Sequence, residues 1–227
     1  MARIKYSALV TGMSGKLNGS VMARNKGGAY VRNKTTPTNP QTGFQQRVRA
    51  VFGSIASAWR GHSQSNIISW NKGASNFPYT DYWGDQRFLS GFALHQKLNA
   101  NLANALQPTI AVCPTPVEVG EVSGLVGELD PAGGILKIGV TTIGDIADCS
   151  FLIFATPNIP LGRNFVKNDF RRISSSAAAD GPIDIKASYE DRFGSIADVG
   201  RVFVRVVVVN NYTGQNSVGY SVEIIAS

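Results

Sequence analysis

The 227 residues leave room for one large or two small domains, and a 43% apolar fraction is ample for a packed core. Only 16% of the residues are charged, yet they sum to +7. Cys113 and Cys149 have no C-x-x-C or metal-type spacing, which excludes a disulfide framework and a cysteine metal cluster and leaves reduced, buried thiols as the expectation.

The charge is unevenly placed. Residues 1–108 hold 13 Lys/Arg and 2 Asp/Glu (+11), whereas residues 109–227 hold 9 and 13 (−4). Asp81 is the first acidic residue, so eighty residues carry 11 cations and no carboxylate. A solvated domain normally mixes its signs to limit self-repulsion. A field of one sign this long implies an anionic partner: the acidic face of another protein, or nucleic acid.

In chain order, residues 1–38 alternate short β-prone runs (Tyr6–Val10, Ser20–Ala23, Ala29–Arg32) with turns at Gly12-Met13-Ser14-Gly15, Leu17-Asn18-Gly19 and Asn25-Lys26-Gly27-Gly28. The segment has too much glycine and too little apolar surface to fold unaided, and is expected as an extended β-hairpin arm ordered by what it lies on. The start Met1-Ala2-Arg3-Ile4-Lys5 runs into a Gly/Ser-rich stretch, so no secretory leader is expected and assembly in a cytoplasm is.

Residues 39–108 are expected to be helical. Asn39-Pro40 offers an N-cap and a first helical position. Phe44, Val48, Val51, Phe52, Ile55 and Trp59 then trace one helix face, with Arg47 and Arg49 off that stripe. A short second helix over residues 65–72 brings Ile67, Ile68 and Trp70. A tyrosine-rich loop with Tyr79, Tyr82 and Trp83 follows. Asp85 is expected to cap a third helix with Phe88, Gly91, Phe92, His95, Leu98, Leu102 and Leu106 on its stripe, Gly91 permitting close helix approach. Three such faces make a small bundle.

Pro108, Pro114 and Pro116 form a rigid linker into residues 109–227. There, β-branched runs at 117–126, 135–141, 149–155, 183–188, 201–209 and 218–225 are separated by turn residues, one of them at Asp130-Pro131-Ala132-Gly133-Gly134. That spacing is the pattern of an immunoglobulin-like β-sandwich. Residues 163–176 are expected to be an irregular connection. The fold class is α+β: an extended N-terminal β-hairpin arm, a small helical region and a C-terminal immunoglobulin-like β-sandwich.

No catalytic constellation emerges. His62 and His95 fall on different elements, and His95 on an apolar stripe reads as a core histidine. Metal sites need clustered ligands, and none are present. Gly124-Leu125-Val126-Gly127 and Gly12-Met13-Ser14-Gly15-Lys16 only superficially match phosphate loops; in the second, Leu17 stands where a magnesium-binding Ser/Thr belongs. Glu190-Asp191-Arg192 reads as a solvated helical turn. The chain is expected to be non-enzymatic, with no cofactor, no small-molecule substrate and no membrane. Its one constellation above background is the basic set Arg3, Lys5, Lys16, Arg24, Lys26, Arg32, Lys34, Arg47 and Arg49, expected to contact a protein partner, with nucleic acid as the alternative.

Several stretches together resemble a known family: 11–21 (Thr11-Gly12-Met13-Ser14-Gly15-Lys16-Leu17-Asn18-Gly19-Ser20-Val21), 25–32, Pro37-Thr38-Asn39-Pro40-Gln41-Thr42, Gln45-Gln46-Arg47-Val48-Arg49 with Trp59 and Trp70-Asn71, and 89–102. Their order is similar to that of uncharacterised virion structural proteins of tailed phages, including crAss-like phages of Bacteroidetes, and spans residues 1–108. The resemblance implies a virion component, expected as a ring subunit at the neck (the portal or head–tail connection), with a capsid-auxiliary or packaged-DNA-binding protein as alternatives. It implies as partners other copies of the chain and portal, ring or capsid subunits, and no enzymatic activity.

Overall fold

Two compact units divide the chain, residues 1–46 and 47–227. The computed structural model describes residues 2–36, 38–81, 84–130, 134–163, 165–195 and 200–225.

The first unit is one antiparallel sheet. Strands β1 (Ala2–Arg3), β2 (Gly15–Leu17), β3 (Ser20–Asn25) and β4 (Gly28–Asn33) lie in the order β1-β4-β3-β2. The β2–β3 turn uses Asn18 at φ 48°, a conformation asparagine tolerates. At the β3–β4 turn the Asn25 side chain accepts from the Gly27 amide at 2.9 Å, and Gly28 takes φ 109°. The expected hairpins are therefore present. The expected run Tyr6–Val10 is not a strand: Val10 N–H closes a turn onto Ser7 O, and Tyr6 Oη donates to Met13 O at 3.2 Å. No described residue of this unit is buried.

Helix α1 (Gly43–Arg60) begins within the last residues of the first unit. Its start lies beyond the expected Asn39-Pro40 because Gln41 takes φ 51°, and Thr42 Oγ1 accepts from Gln45 N–H at 3.4 Å in place of an Asn39 cap.

The second unit builds helices onto strands. Helix α2 (Gln64–Gly73) is capped by Ser63 and followed by a 3-10 turn, Ala74–Asn76. Strands β5 (Pro78–Thr80) and β6 (Gln86–Phe88) pair where a loop was expected; Tyr82 and Trp83 of that loop lie outside the described residues. Because 86–88 is a strand, helix α3 (Gly91–Asn104) starts later than expected, with Ser90 rather than Asp85 as its cap. A Cβ on Gly91 would lie 2.8 Å from Asn71 N, so the glycine does let α3 and α2 approach closely.

Of α1, only the C-terminal end joins α2 and α3. Ile55 is buried, and Trp59 packs against the Trp70, Ala74, Leu94, Leu98 cluster. Phe44, Val48 and Phe52 of the same stripe are 44%, 56% and 50% exposed.

Next come β7 (Glu121–Asp130), β8 (Ile135–Ile143), β9 (Cys149–Ala155), β10 (Arg171–Ala177), β11 (Gly181–Asp184), α4 (Lys186–Phe193), β12 (Arg201–Asn210) and β13 (Tyr220–Ile225). Residues 131–133 of the expected turn after Asp130 lie outside the described set. The strands make two antiparallel sheets, β10-β9-β12-β13 and β11-β8-β7. The expected irregular connection contains β10, and the expected strand over 183–188 is β11 followed by α4, which carries Glu190-Asp191-Arg192.

Both sheets share one core. Val122, Leu125 and Leu129 of β7 and Leu136, Ile138 and Val140 of β8 meet Phe151 and Ile153 of β9 and alternate valines of β12. Alternation along each strand selects which residues enter it. Val207 and Val209 of β12 serve the other face, packing with Leu152 and Ala105, so β12 is apolar almost throughout because both its faces are covered. The chain is α+β, with four helices and several antiparallel sheets among the described residues.

Candidate interaction surface

Strand register sorts the basic residues of the first unit onto faces. Residues opposite one another in a ladder share a face. Lys16 opposes Val21, and Val21 opposes Arg32; Arg3 opposes Tyr30, and Tyr30 opposes Ala23. Arg3, Lys16 and Arg32 therefore share one face with Tyr30 and Val21. The opposite face carries Leu17, Met22, Ala29 and Val31, with Arg24 near its end.

The remaining predicted contacts are scattered. Lys5 follows β1, Lys26 sits in the β3–β4 turn, and Lys34 follows β4 with its amide donating to Gly19 O at 2.7 Å; all three are exposed. Arg47 and Arg49 are exposed residues of α1 and belong to the second unit. Arg47 adds to the charge felt by Arg172, whose pKa is lowered by burial first and then by Arg47 and Arg192. The Arg172 guanidinium donates to Asn104 O at the end of α3, 2.8 Å away.

No carboxylate lies within residues 1–46, so their seven cations have no acidic partner inside the unit. Described ion pairs are Arg87–Asp81 (2.7 Å), Arg163–Asp169, Lys186–Glu190 (4.0 Å) and Arg201–Glu223 (2.6 Å), all downstream of α1. Apolar groups are also open in the first unit: Leu9 is 94% exposed and Leu17 64%.

A second cluster went unread in the sequence. His62 Nε2 and His95 Nε2 are 3.0 Å apart; Trp59 packs on both rings and Trp70 on His95, with Phe92 edge-on to Trp59. His95 is 1% exposed; burial first, and the neighbouring His62 second, lower its pKa to about 4. One hydrogen bond joins the two rings. His95 Nδ1 is buried without a partner, and a bare lone pair there costs less than a bare N–H, so His95 Nε2–H donates to His62. No third ligand stands near: among the described residues no group of three or more His, Cys, Asp or Glu side chains is placed to hold a metal. The spacing of 33 residues gave no signal for this pair.

The stretches considered as phosphate loops are strand and turn. Residues 124–127 lie inside β7, and Gly15-Lys16 opens β2 with no helix after it. Cys113 and Cys149 are free thiols, the second buried. No described helix is long and apolar enough to cross a membrane.

No family model matches the chain, and no curated protein matches it. A solved structure titled "Structure of T.fusca AA10A" aligns with 83% of this chain and 88% of its own at 11% identity, with a TM-score of 0.27. A likeness of that size carries no argument about fold or function.

Proposed function

We propose that the chain is a non-enzymatic structural subunit of a tailed-phage virion, a ring component at the neck (the portal or head–tail connection) that assembles through its basic N-terminal sheet. One observation carries this reading: residues 1–46 form a four-stranded sheet with seven cations, no carboxylate and no buried described residue. Such a sheet gains little by itself and much by being covered. The exposed Phe44, Val48 and Phe52 of α1 add apolar surface of the kind that subunit contacts use. Resemblance of residues 1–108 to phage virion proteins supplies the setting, with portal, ring or capsid subunits as partners. The two sheets of residues 121–225 are read as an immunoglobulin-like sandwich, supported by their shared core and antiparallel order.

Removing residues 1–34 tests the proposal. The intact chain is expected to assemble into closed rings visible by electron microscopy, and the truncated chain to remain unassembled with the melting of residues 47–227 preserved. Normal assembly of the truncated chain refutes the role of the sheet. The single-sign charge also favours a second reading, contact with packaged DNA. In that case duplex DNA is retained by the chain and released steeply with salt, since each phosphate contact frees counterions.

A further inference from the structure

The outer face of the three-stranded sheet in the second unit is acidic and open. Along β7, Val122, Leu125 and Leu129 point into the core, which turns Glu121, Val126 and Glu128 outward. The register then places Glu128 opposite Lys137, and Lys137 opposite Asp184. Asp130, opposite Ile135, is on the same side. Four carboxylates and one lysine leave this face with a charge of −3. Val126 and Ile143, 73% and 70% exposed, supply apolar area between them.

Two ladder rows correspond in charge and in spacing. In the N-terminal sheet, Lys16 and Arg32 flank Val21; in the acidic sheet, Glu128 and Asp184 flank Lys137. Each outer pair is separated by two strand spacings, about 10 Å. Laid face to face, the outer cations meet the outer carboxylates. Val21 meets Lys137, so no like charges oppose at the centre.

We propose that the cationic face of one copy's N-terminal sheet docks on the acidic β11-β8-β7 face of a second copy, with Lys16 and Arg32 on Glu128 and Asp184, Val21 on Lys137, and Tyr30 toward the Val126 side. The inference rests on the assembly reading above and names the surface that receives the sheet. The two patches differ, so the contact is heterologous. Repeated from copy to copy, it closes into a ring or extends as a chain.

Charge reversal on the full chain tests it, read by sedimentation velocity across a concentration series at low salt. Asp184 is left intact because its side chain accepts from the Lys186 amide at the start of α4. The double variants Lys16→Glu/Arg32→Glu and Glu121→Lys/Glu128→Lys alter exposed side chains and should each weaken self-association by about tenfold or more. Mixed together, they alternate a wild-type junction with a charge-swapped one and should regain extended assembly. All four changes in one chain should restore extended assembly. If reversing the N-terminal sheet abolishes association while reversing the acidic sheet leaves it unchanged, this docking is overturned and assembly through the N-terminal sheet stands. If neither reversal has an effect, both fall. A wild-type chain that stays monomeric and instead retards duplex DNA, an effect lost with Lys16→Glu/Arg32→Glu, overturns both in favour of nucleic acid. Unchanged melting confirms folding; a variant that melts lower is replaced by Lys16→Gln/Arg32→Gln, for which the same pattern is expected at reduced size.

Discussion

Acidification should loosen the junction of α1, α2 and α3 through a single imidazole. His95 is 1% exposed and holds a pKa of about 4, against 6.5 for a solvated histidine. Between those values the unfolded chain binds a proton that the folded chain refuses. Stability is therefore complete above about pH 6.5 and is lost as pH falls toward 4. One pH unit within that window is worth about 1.4 kcal/mol, so the descent from 6.5 to 5 costs about 2 kcal/mol and the whole window about 3. Most carboxylates titrate near 4, which keeps the upper part of the window specific to histidine. Urea unfolding followed by tryptophan fluorescence reads the effect directly, because Trp59 and Trp70 lie with ring centroids 5.2 and 5.0 Å from His95. Replacing His62 with alanine removes the smaller cause and leaves burial, so most of the dependence should persist. A midpoint that does not move between about pH 7 and pH 5 would refute the burial argument.

Three substitutions probe the same helical layer, each by urea unfolding at neutral pH. Gly91→Ala should destabilise by about 1–3 kcal/mol, since a Cβ there would lie 2.8 Å from Asn71 N and 2.9 Å from Trp70 C, both backbone atoms. Asn99→Ala should cost about 1–3 kcal/mol: the fully buried amide donates to His95 O and Ile110 O and accepts from Ile110 N–H at 2.7 Å. Leu106→Gly should stabilise by about 1 kcal/mol. Leu106 sits at φ 61° just past α3, where Gln107 N–H bonds Leu102 O and Leu106 N–H bonds Ala103 O, the helix ending that favours glycine. Its side chain is 70% exposed, so little packing is lost; a midpoint that falls would refute this.

Periodicity made much of the fold legible. The expected run 149–155 is β9, the runs at 135–141 and 201–209 lie within β8 and β12, and Gly91 marks a close helix contact. What failed has physical causes. Strand β10 reads Arg-Arg-Ile-Ser-Ser-Ser-Ala and has little apolar content, because it is an edge strand paired only with β9. The α3 stripe holds at Gly91, His95, Leu98 and Leu102 but omits Leu94 and Asn99, which are also buried, the asparagine being hidden for its hydrogen bonds to the 108–116 segment. Trp70 serves the same segment, donating Nε1–H to Ala111 O at 2.9 Å. The α1 stripe was read correctly as periodic, but a period does not say what covers it. For the basic residues, composition gave the sign of the charge, whereas only strand register separates Arg3, Lys16 and Arg32 from Arg24.

The contrast between the units makes a partner the economical explanation for the first. Fixing a backbone residue costs about 1–2 kcal/mol, and burial is what ordinarily offsets it. Residues 121–225 meet that cost with a core in which Leu136, Phe151, Ile153 and Val204 are fully enclosed. Residues 2–46 have ladder hydrogen bonds but no enclosed side chain among those described, and they repel one another electrostatically as well. Covering either sheet face would supply the missing burial, and an acidic cover would relieve the repulsion in the same step. A neutral partner would do only the first, and free phosphate only the second. With a balance of −4 across residues 109–227, the docking proposed above on a second copy would bring both.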